Sequence, residues 1–302
     1  MIVTDGLTKH YGKVHALTDL TLEVRKGEVF GLLGPNGSGK TTTIRLLIGM
    51  LKPTSGRAAV AGHDCWRDSL AVRELVSYLP GELRMYGAMT GYSTLRFLSD
   101  LRGGAPLDRA VALAEKVMKL DLNRRVRTYS TGMKQKLALA QTFADPVDVL
   151  ILDEPTSSLD PSARNDVLGL VSEARSSGQT VIFCGHVLSE VEQASDRVGI
   201  MRHGRLMHIE DMHTRRNQRM LLVRFGEGLW GELPGELGLA VRERHGDTWL
   251  MEHKGELGPL LAWLATQDVA EIAIGAEDLR SLYDQYHGAV AALDDDRNGV
   301  PE

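Results

Sequence analysis

The chemistry of this chain is concentrated in the run Gly34-Pro35-Asn36-Gly37-Ser38-Gly39-Lys40-Thr41. Its pattern, G-x-x-x-x-G-K-[ST], suits a polyphosphate. The glycines let backbone N–H groups turn inward, the lysine neutralises the outer phosphates, and the threonine hydroxyl is placed for a divalent cation. A second set lies far along the chain, where the apolar run 149–152 ends in Asp153-Glu154. An acid at such a strand end, beside a phosphate loop, holds Mg²⁺ together with the loop threonine, here Thr41. The next acid, Glu154, orients or deprotonates an attacking water. Together the two sets point to phosphoryl transfer from a nucleoside triphosphate to water.

These groups need particular elements to position them. The apolar run 29–33 reads as a strand feeding the glycine-rich turn, and Thr42, Ile44, Leu46, Leu47 and Ile48 open a helix behind it. A helix N-terminus then adds its free N–H groups and dipole to the phosphate site. Runs 147–152 and 180–184 also read as buried parallel strands, and 107–120, 131–143 and 161–176 carry helical periodicity. The alternation predicts an α/β architecture with a parallel-sheet core. Strand signals thin from 65 to 125, which reads as a mostly helical insertion broken at Gly103-Gly104-Ala105-Pro106.

A boundary is expected at 210–219, a polar stretch with no apolar face. Beyond it, strands at 220–225, 248–251 and 269–274 and helices at 257–265 and 277–286 suggest a small α+β domain. The acidic end, Asp294-Asp295-Asp296-Arg297-Asn298-Gly299, lacks apolar anchors. The expected organisation is therefore a main domain over 1–210, with its insertion at about 83–135, an accessory domain over 220–290, and a disordered tail over 291–302. No internal repeat is visible.

Composition narrows the function classes. With 302 residues, 43% hydrophobic and 25% charged, the chain reads as an ordinary globular protein. A net charge of −5 gives no sign of a general polyanion binder, so nucleic acid is not expected as a partner. Cys65 and Cys184 form neither a C-x-x-C pair nor a metal cluster and read as reduced thiols. Residues 1–5 carry no basic-then-apolar leader pattern. No stretch approaches the roughly 18 apolar residues of a membrane span. Work at a membrane would require docking onto a protein already there.

At this point the chain resembles the ATP-binding subunits of ABC transporters. Tyr129-Ser130-Thr131-Gly132-Met133 stands where that family carries its LSGGQ signature. Ser157-Ser158-Leu159-Asp160 matches the D-loop, directly after Asp153-Glu154-Pro155-Thr156. His186 follows its strand as the switch histidine does, and Tyr11, in Leu7-Thr8-Lys9-His10-Tyr11-Gly12, matches the aromatic that stacks on adenine. The resemblance covers 1 to about 210. It implies the P-loop NTPase fold of ABC ATPases, with ATP and Mg²⁺ as ligands. It implies nucleotide contacts from Tyr11, Gly34, Asn36, Gly37, Ser38, Gly39, Lys40, Thr41 and Thr42. Thr41 and Asp153 would hold Mg²⁺, Glu154 would be the general base, His186 would reach the γ-phosphate, and Lys40 would neutralise the β- and γ-phosphates. Ser130 and Gly132 would complete the site of a partner subunit, so that ATP is buried between two chains. Two alternatives stay open: Tyr11 as a plain surface aromatic, and Ser130 as a helix cap as well as a phosphate contact.

The chain departs from the family pattern in two places. Gly81, in Ser77-Tyr78-Leu79-Pro80-Gly81-Glu82, stands where a glutamine is expected. Either Glu82 takes over its metal- or water-linked contact, or that contact is missing. The signature has the form S-x-G-M-K-Q, which is familiar in ATPases of the ABC-2 type. That form implies an exporter subunit on the cytoplasmic face of the membrane, working on a separate integral membrane permease, and the intact catalytic set makes a pair of identical ATPase chains the expected assembly. The permease would dock on the insertion around 83–100, where Leu83, Met85, Tyr86 and Tyr92 are either partly exposed or packed in the insertion's own core. The competing reading is a soluble ABC ATPase acting on ribosomes or nucleic acid.

Overall fold

The structure, a computed structural model, describes residues 1–104, 106–216, 218–226, 233–276 and 283. The chain forms two compact units, Met1–Ile209 and Glu210–Glu302. In chain order the first holds β1 (Ile2–Tyr11), β2 (Val14–Val24), β3 (Val29–Leu33), α1 (Lys40–Leu47), β4 (Ser55–Val60), β5 (His63–Asp64), α2 (Ser69–Leu75) and β6 (Val76–Leu79). It continues with α3 (Gly91–Leu101), α4 (Leu107–Ala112), α5 (Thr131–Ala144), β7 (Val149–Asp153), α6 (Pro161–Ser176), β8 (Thr180–Gly185), α7 (Leu188–Ala194), β9 (Arg197–Arg202) and β10 (Arg205–Asp211), whose last two residues belong to the second unit.

The core sheet is six-stranded, in the order β10-β9-β3-β8-β7-β6. From β9 to β6 its neighbours pair in parallel. Every residue of β3, β7 and β8 is buried. That is the pattern of parallel strands covered on both faces, and it explains their unbroken apolar runs. Because the strands are parallel, the turns after β3, β8, β7 and β6 open at one edge of the sheet. Residues far apart in sequence are thereby gathered into one row.

A four-stranded antiparallel sheet, β2-β1-β4-β5, also belongs to this unit and was not among the expected elements. Its strands are half-buried: Leu20, Leu22 and Val24 of β2 face inward and alternate with exposed neighbours. The inward residues join Ile44, Leu46 and Leu47 of α1 in one hydrophobic cluster. Each such buried side chain contributes about 1.5–3 kcal/mol, so this sheet fixes the helix that carries Lys40 and Thr41. Helices α3, α4 and α5 lie between β6 and β7, with a π-helical turn at Leu113–Val117. Gly103 and Gly104 end α3 with positive φ. Within the stretch of thin strand signals, β6 is a strand of the core sheet, paired with β7.

The second unit holds α8 (Met212–Arg216), β11 (Gln218–Phe225), β12 (Leu239–His245), β13 (Thr248–Lys254), α9 (Leu257–Leu264) and β14 (Val269–Ala276). Its strands form an antiparallel sheet in the order β12-β13-β11-β14. Leu221, Val223 and Phe225 of β11, Met251 of β13, and Leu260 and Leu264 of α9 make its core. The stretch 211–219 corrects the expectation of a polar connection. It contains α8, where Met212 and Arg215 are buried. Arg215 pairs with Glu210 at 3.6 Å, and the Asp211 carboxylate accepts from the Thr214 N–H. One apolar residue in so short a helix leaves no periodicity to detect. The expected helix over 277–286, apart from Tyr283, and the tail over 291–302 lie outside the described residues.

Candidate functional site

The phosphate loop follows β3 and closes on α1. Gly39 sits at φ 106°, ψ −2°, a left-handed conformation natural to glycine. A Cβ there would come within 2.9 Å of the Ala16 carbonyl oxygen on β2. The β1–β2 hairpin therefore lies against the loop, and it carries Tyr11 at its tip, 47% exposed. The Lys9 ammonium stands 5.1 Å from the Tyr11 ring centroid. Asn36 and Gly37 form the exposed crest of the loop, and Thr42 is half-buried in the first turn of α1. Lys40 is buried, and its ammonium donates to the Gly34 carbonyl at 2.6 Å and to the Pro35 carbonyl at 3.2 Å. Its charge is thus held over the loop. The buried Ser38 hydroxyl has no hydrogen-bond partner among the described residues.

Asp153 ends β7 and is brought to the loop by the sheet. The Thr41 hydroxyl donates to its Oδ2 at 3.1 Å. Burial pushes the Asp153 carboxyl above the ordinary carboxylate range. The Thr41 hydrogen bond opposes this, the Glu154 charge adds to it, and Lys40 and Arg45 oppose it. A carboxylate whose charge is costly in this setting gains from a cation beside it. The oxygen donors Thr41 and Asp153 suit Mg²⁺. Among the described residues no group of three or more His, Cys, Asp or Glu is placed to hold a metal. A hard cation here would draw on phosphate oxygens and water for the rest of its shell.

Glu154 turns the chain out of the sheet. Its φ is 52°, a left-handed conformation that costs a non-glycine residue about 1 kcal/mol or more. Its N–H still donates to the Cys184 carbonyl at 2.9 Å, so the strain falls on the residue and not on the sheet ladder. Its Oε1 lies 3.3 Å from Nδ1 of His186, which follows β8. The structure thus brings Lys40, Thr41, Asp153, Glu154 and His186 to one edge.

The turn after β6 joins them. A Cβ on Gly81 would lie 3.6 Å from Asp153 Oδ2, so a side chain at this position would stand beside that acid. Glycine leaves the place open. Glu82, Arg84 and Arg45 line the same cleft with Thr41, Asp153 and Glu154; its volume is about 570 Å³.

Ser130 caps α5: its hydroxyl accepts from the Met133 N–H at 3.2 Å. Gly132 lies against the D-loop turn, where a Cβ would fall 2.6 Å from the Ser158 carbonyl oxygen. Asp160 caps α6 by accepting from the Ala163 N–H at 2.9 Å. Three further residues have roles that the sequence reading did not assign. Gln135 is buried on α5, and its amide donates to the carbonyls of Glu154 at 3.3 Å and Pro155 at 3.0 Å. The signature helix thereby braces the turn that carries the acids. A glutamine among the apolar positions of that helix was the available signal. Arg164 and Glu190 pair at 3.2 Å behind the D-loop and carried no such signal.

In the insertion, Tyr86 and Tyr92 are exposed and Leu83 and Met85 are half-buried. Tyr86 packs edge-to-face on Phe97, with ring centroids 5.7 Å apart. Among the described residues no helix is long and apolar enough to cross a membrane.

Comparison with known proteins gives a consistent result. Residues 17–157 match the profile of the family described as ABC transporter. The daunorubicin/doxorubicin resistance ATP-binding protein DrrA of Streptomyces peucetius is 35% identical over 244 residues, covering 80% of this chain and 68% of that protein. The linearmycin resistance ATP-binding protein LnrL of Bacillus subtilis is 32% identical over 213 residues, covering 69% of this chain and 68% of that protein. A solved structure of an ATP-binding subunit of an ABC transporter superposes with a TM-score of 0.66 at 27% identity, covering 72% of this chain and 92% of that one.

Proposed function

The chain belongs to the ABC transporter family as an ATP-binding subunit, and from that membership we propose that it is the energy-coupling ATPase of an exporter, acting as a homodimer on a separate membrane permease. The observation that carries this reading is the row of Lys40, Thr41, Asp153, Glu154 and His186 at the open ends of adjacent parallel strands. Its similarity to ATP-binding proteins of drug resistance supports the exporter reading. The exposed Tyr86 and Tyr92 support docking of a permease on the insertion, at the cytoplasmic face of the membrane.

In this reading the 1–210 domain carries the chemistry and the 220–290 domain is accessory. Tyr11 offers its ring face to adenine. The amides of Gly37, Gly39 and Lys40 cradle the β-phosphate, and the Lys40 ammonium moves from the loop carbonyls to the β- and γ-phosphates. Thr41 and Asp153 would hold Mg²⁺, which when bound would offset the charge on the phosphate oxygens. Glu154 takes the proton of the attacking water, and His186, already against Glu154, fixes that water and the γ-phosphate. Ser130 and Gly132 present the N-terminus of α5 to the nucleotide of the second subunit.

The test is recovery of the tagged protein from its native cells in mild detergent. A polytopic membrane protein in stoichiometric amount is the expected result; ribosomes or nucleic acid in its place would overturn the transport reading. The adenine contact has its own test. Tyr11→Ala is expected to weaken nucleotide binding by about 1–3 kcal/mol, the scale of base–aromatic stacking. The KM values for ATP and GTP should rise together, because a stacked face does not read the base. Unchanged KM values would make Tyr11 a surface aromatic.

A further inference from the structure

We propose that Glu190 is a positioning residue that holds the turn 156–160 to the helix following His186, and so sets the rate of hydrolysis. Glu190 lies on α7, a turn beyond His186, and is only 8% exposed. Its carboxylate accepts from the Thr156 hydroxyl and from Arg164 Nη1, the latter at 3.2 Å. The same guanidinium donates from Nε to the Leu159 carbonyl at 3.1 Å. Thr156 and Leu159 bracket the turn that holds Ser157 and Ser158. One buried carboxylate therefore grips that turn directly at its start and, through Arg164, near its end.

The turn has little other freedom. Ser158 is left-handed, with φ 60°, and its carbonyl lies against Gly132. Asp160 is engaged in capping α6. His186 in turn meets Glu154 at 3.3 Å. A path runs by side-chain contact from the proposed base to the histidine, along the backbone into α7, and from Glu190 to the turn, whose Ser158 carbonyl lies against the signature glycine. A shift of His186 on meeting a γ-phosphate would move α7, and with it Thr156 and Arg164. This inference rests on the proposed function, in which the signature and D-loop face the partner's nucleotide.

The experiment compares wild type, Glu190→Ala, Thr156→Val, Thr156→Ser and His186→Ala by steady-state kinetics and by amide hydrogen exchange without nucleotide. Glu190→Ala and Thr156→Val are expected to lower kcat about ten-fold with KM within about two-fold. Thr156→Ser, which keeps the hydroxyl, should restore wild-type turnover. Exchange should quicken in 157–160 and 185–188 together, and Glu190→Ala added to His186→Ala should cost nothing further. Thr156→Val is the mildest change and keeps the test valid if Glu190→Ala does not fold. Wild-type kinetics in Thr156→Val, multiplicative losses with His186→Ala, or faster exchange confined to α7 would each overturn the proposal. A wild-type protein with no ATP turnover would instead refute the ATPase reading, and the exchange data would still decide whether Glu190 joins the two segments.

Discussion

Glu154→Gln should lower ATP turnover by about 10²- to 10⁴-fold while leaving ATP affinity nearly intact. The amide keeps the size of the side chain and its reach toward His186 Nδ1, 3.3 Å away in the present structure. It removes the ability to take a proton from water. Binding is expected to survive because, among the described residues, Glu154 makes no hydrogen bond or ion pair with the phosphate loop, where Lys40, Thr41 and the amides lie. Loss of the carboxylate also relieves Asp153 of one of the charges that push its carboxyl upward. With ATP and Mg²⁺ the variant should accumulate as a closed dimer, because ATP then stays between the two chains. Single-turnover hydrolysis and light scattering read the two halves of this expectation. Turnover within a few-fold of wild type would remove Glu154 from the role of base. A monomer at saturating ATP would show that the pair needs the permease to hold it.

Lys40→Ala should act at the opposite step. Hydrogen bonds to charged groups contribute about 1.5–3 kcal/mol each, so losing the ammonium from the β- and γ-phosphates should weaken ATP binding by about 2–4 kcal/mol, or roughly 30- to 1000-fold. The structure adds a local reason. The ammonium now satisfies the Gly34 and Pro35 carbonyls, and without it the loop loses its internal clasp. The fold should persist, since α1 is held by Ile44, Leu46 and Leu47. Isothermal titration with a non-hydrolysable ATP analogue, alongside thermal unfolding, separates the two. Wild-type affinity in a folded Lys40→Ala protein would place the phosphates elsewhere.

The chemical half of this molecule was legible because it is local. A phosphate loop is a run of neighbouring residues whose spacing carries the chemistry, and an apolar strand ending in Asp153-Glu154 is visible without its partners. Long buried strands such as β3, β7 and β8 announce themselves as unbroken apolar runs. What escaped was support from a distance. Gln135 and Glu190 act on turns well removed in sequence, and an ordinary glutamine or glutamate gives no sign of which carbonyl or hydroxyl it will meet. The antiparallel sheet escaped because half-buried strands carry only alternate apolar residues. Strand β12 escaped for a related reason: Arg242, Glu243, Arg244 and His245 are exposed at the edge of its sheet, and charge is how an edge strand avoids pairing with other chains.

The strand order of the core sheet also has a kinetic consequence. β3, which carries the phosphate loop, pairs with β8 and β9, so Val29 meets Val181 and Phe30 meets Arg197. Closing such a long loop of chain is slow. During synthesis the loop has no complete seat until nearly the whole first unit has left the ribosome. A nascent or truncated chain holds the Gly34–Thr41 sequence yet lacks Asp153, Glu154 and His186 around it. Tight nucleotide binding is therefore a property of the finished unit alone. ATP, by binding only that state, draws late intermediates toward it by mass action.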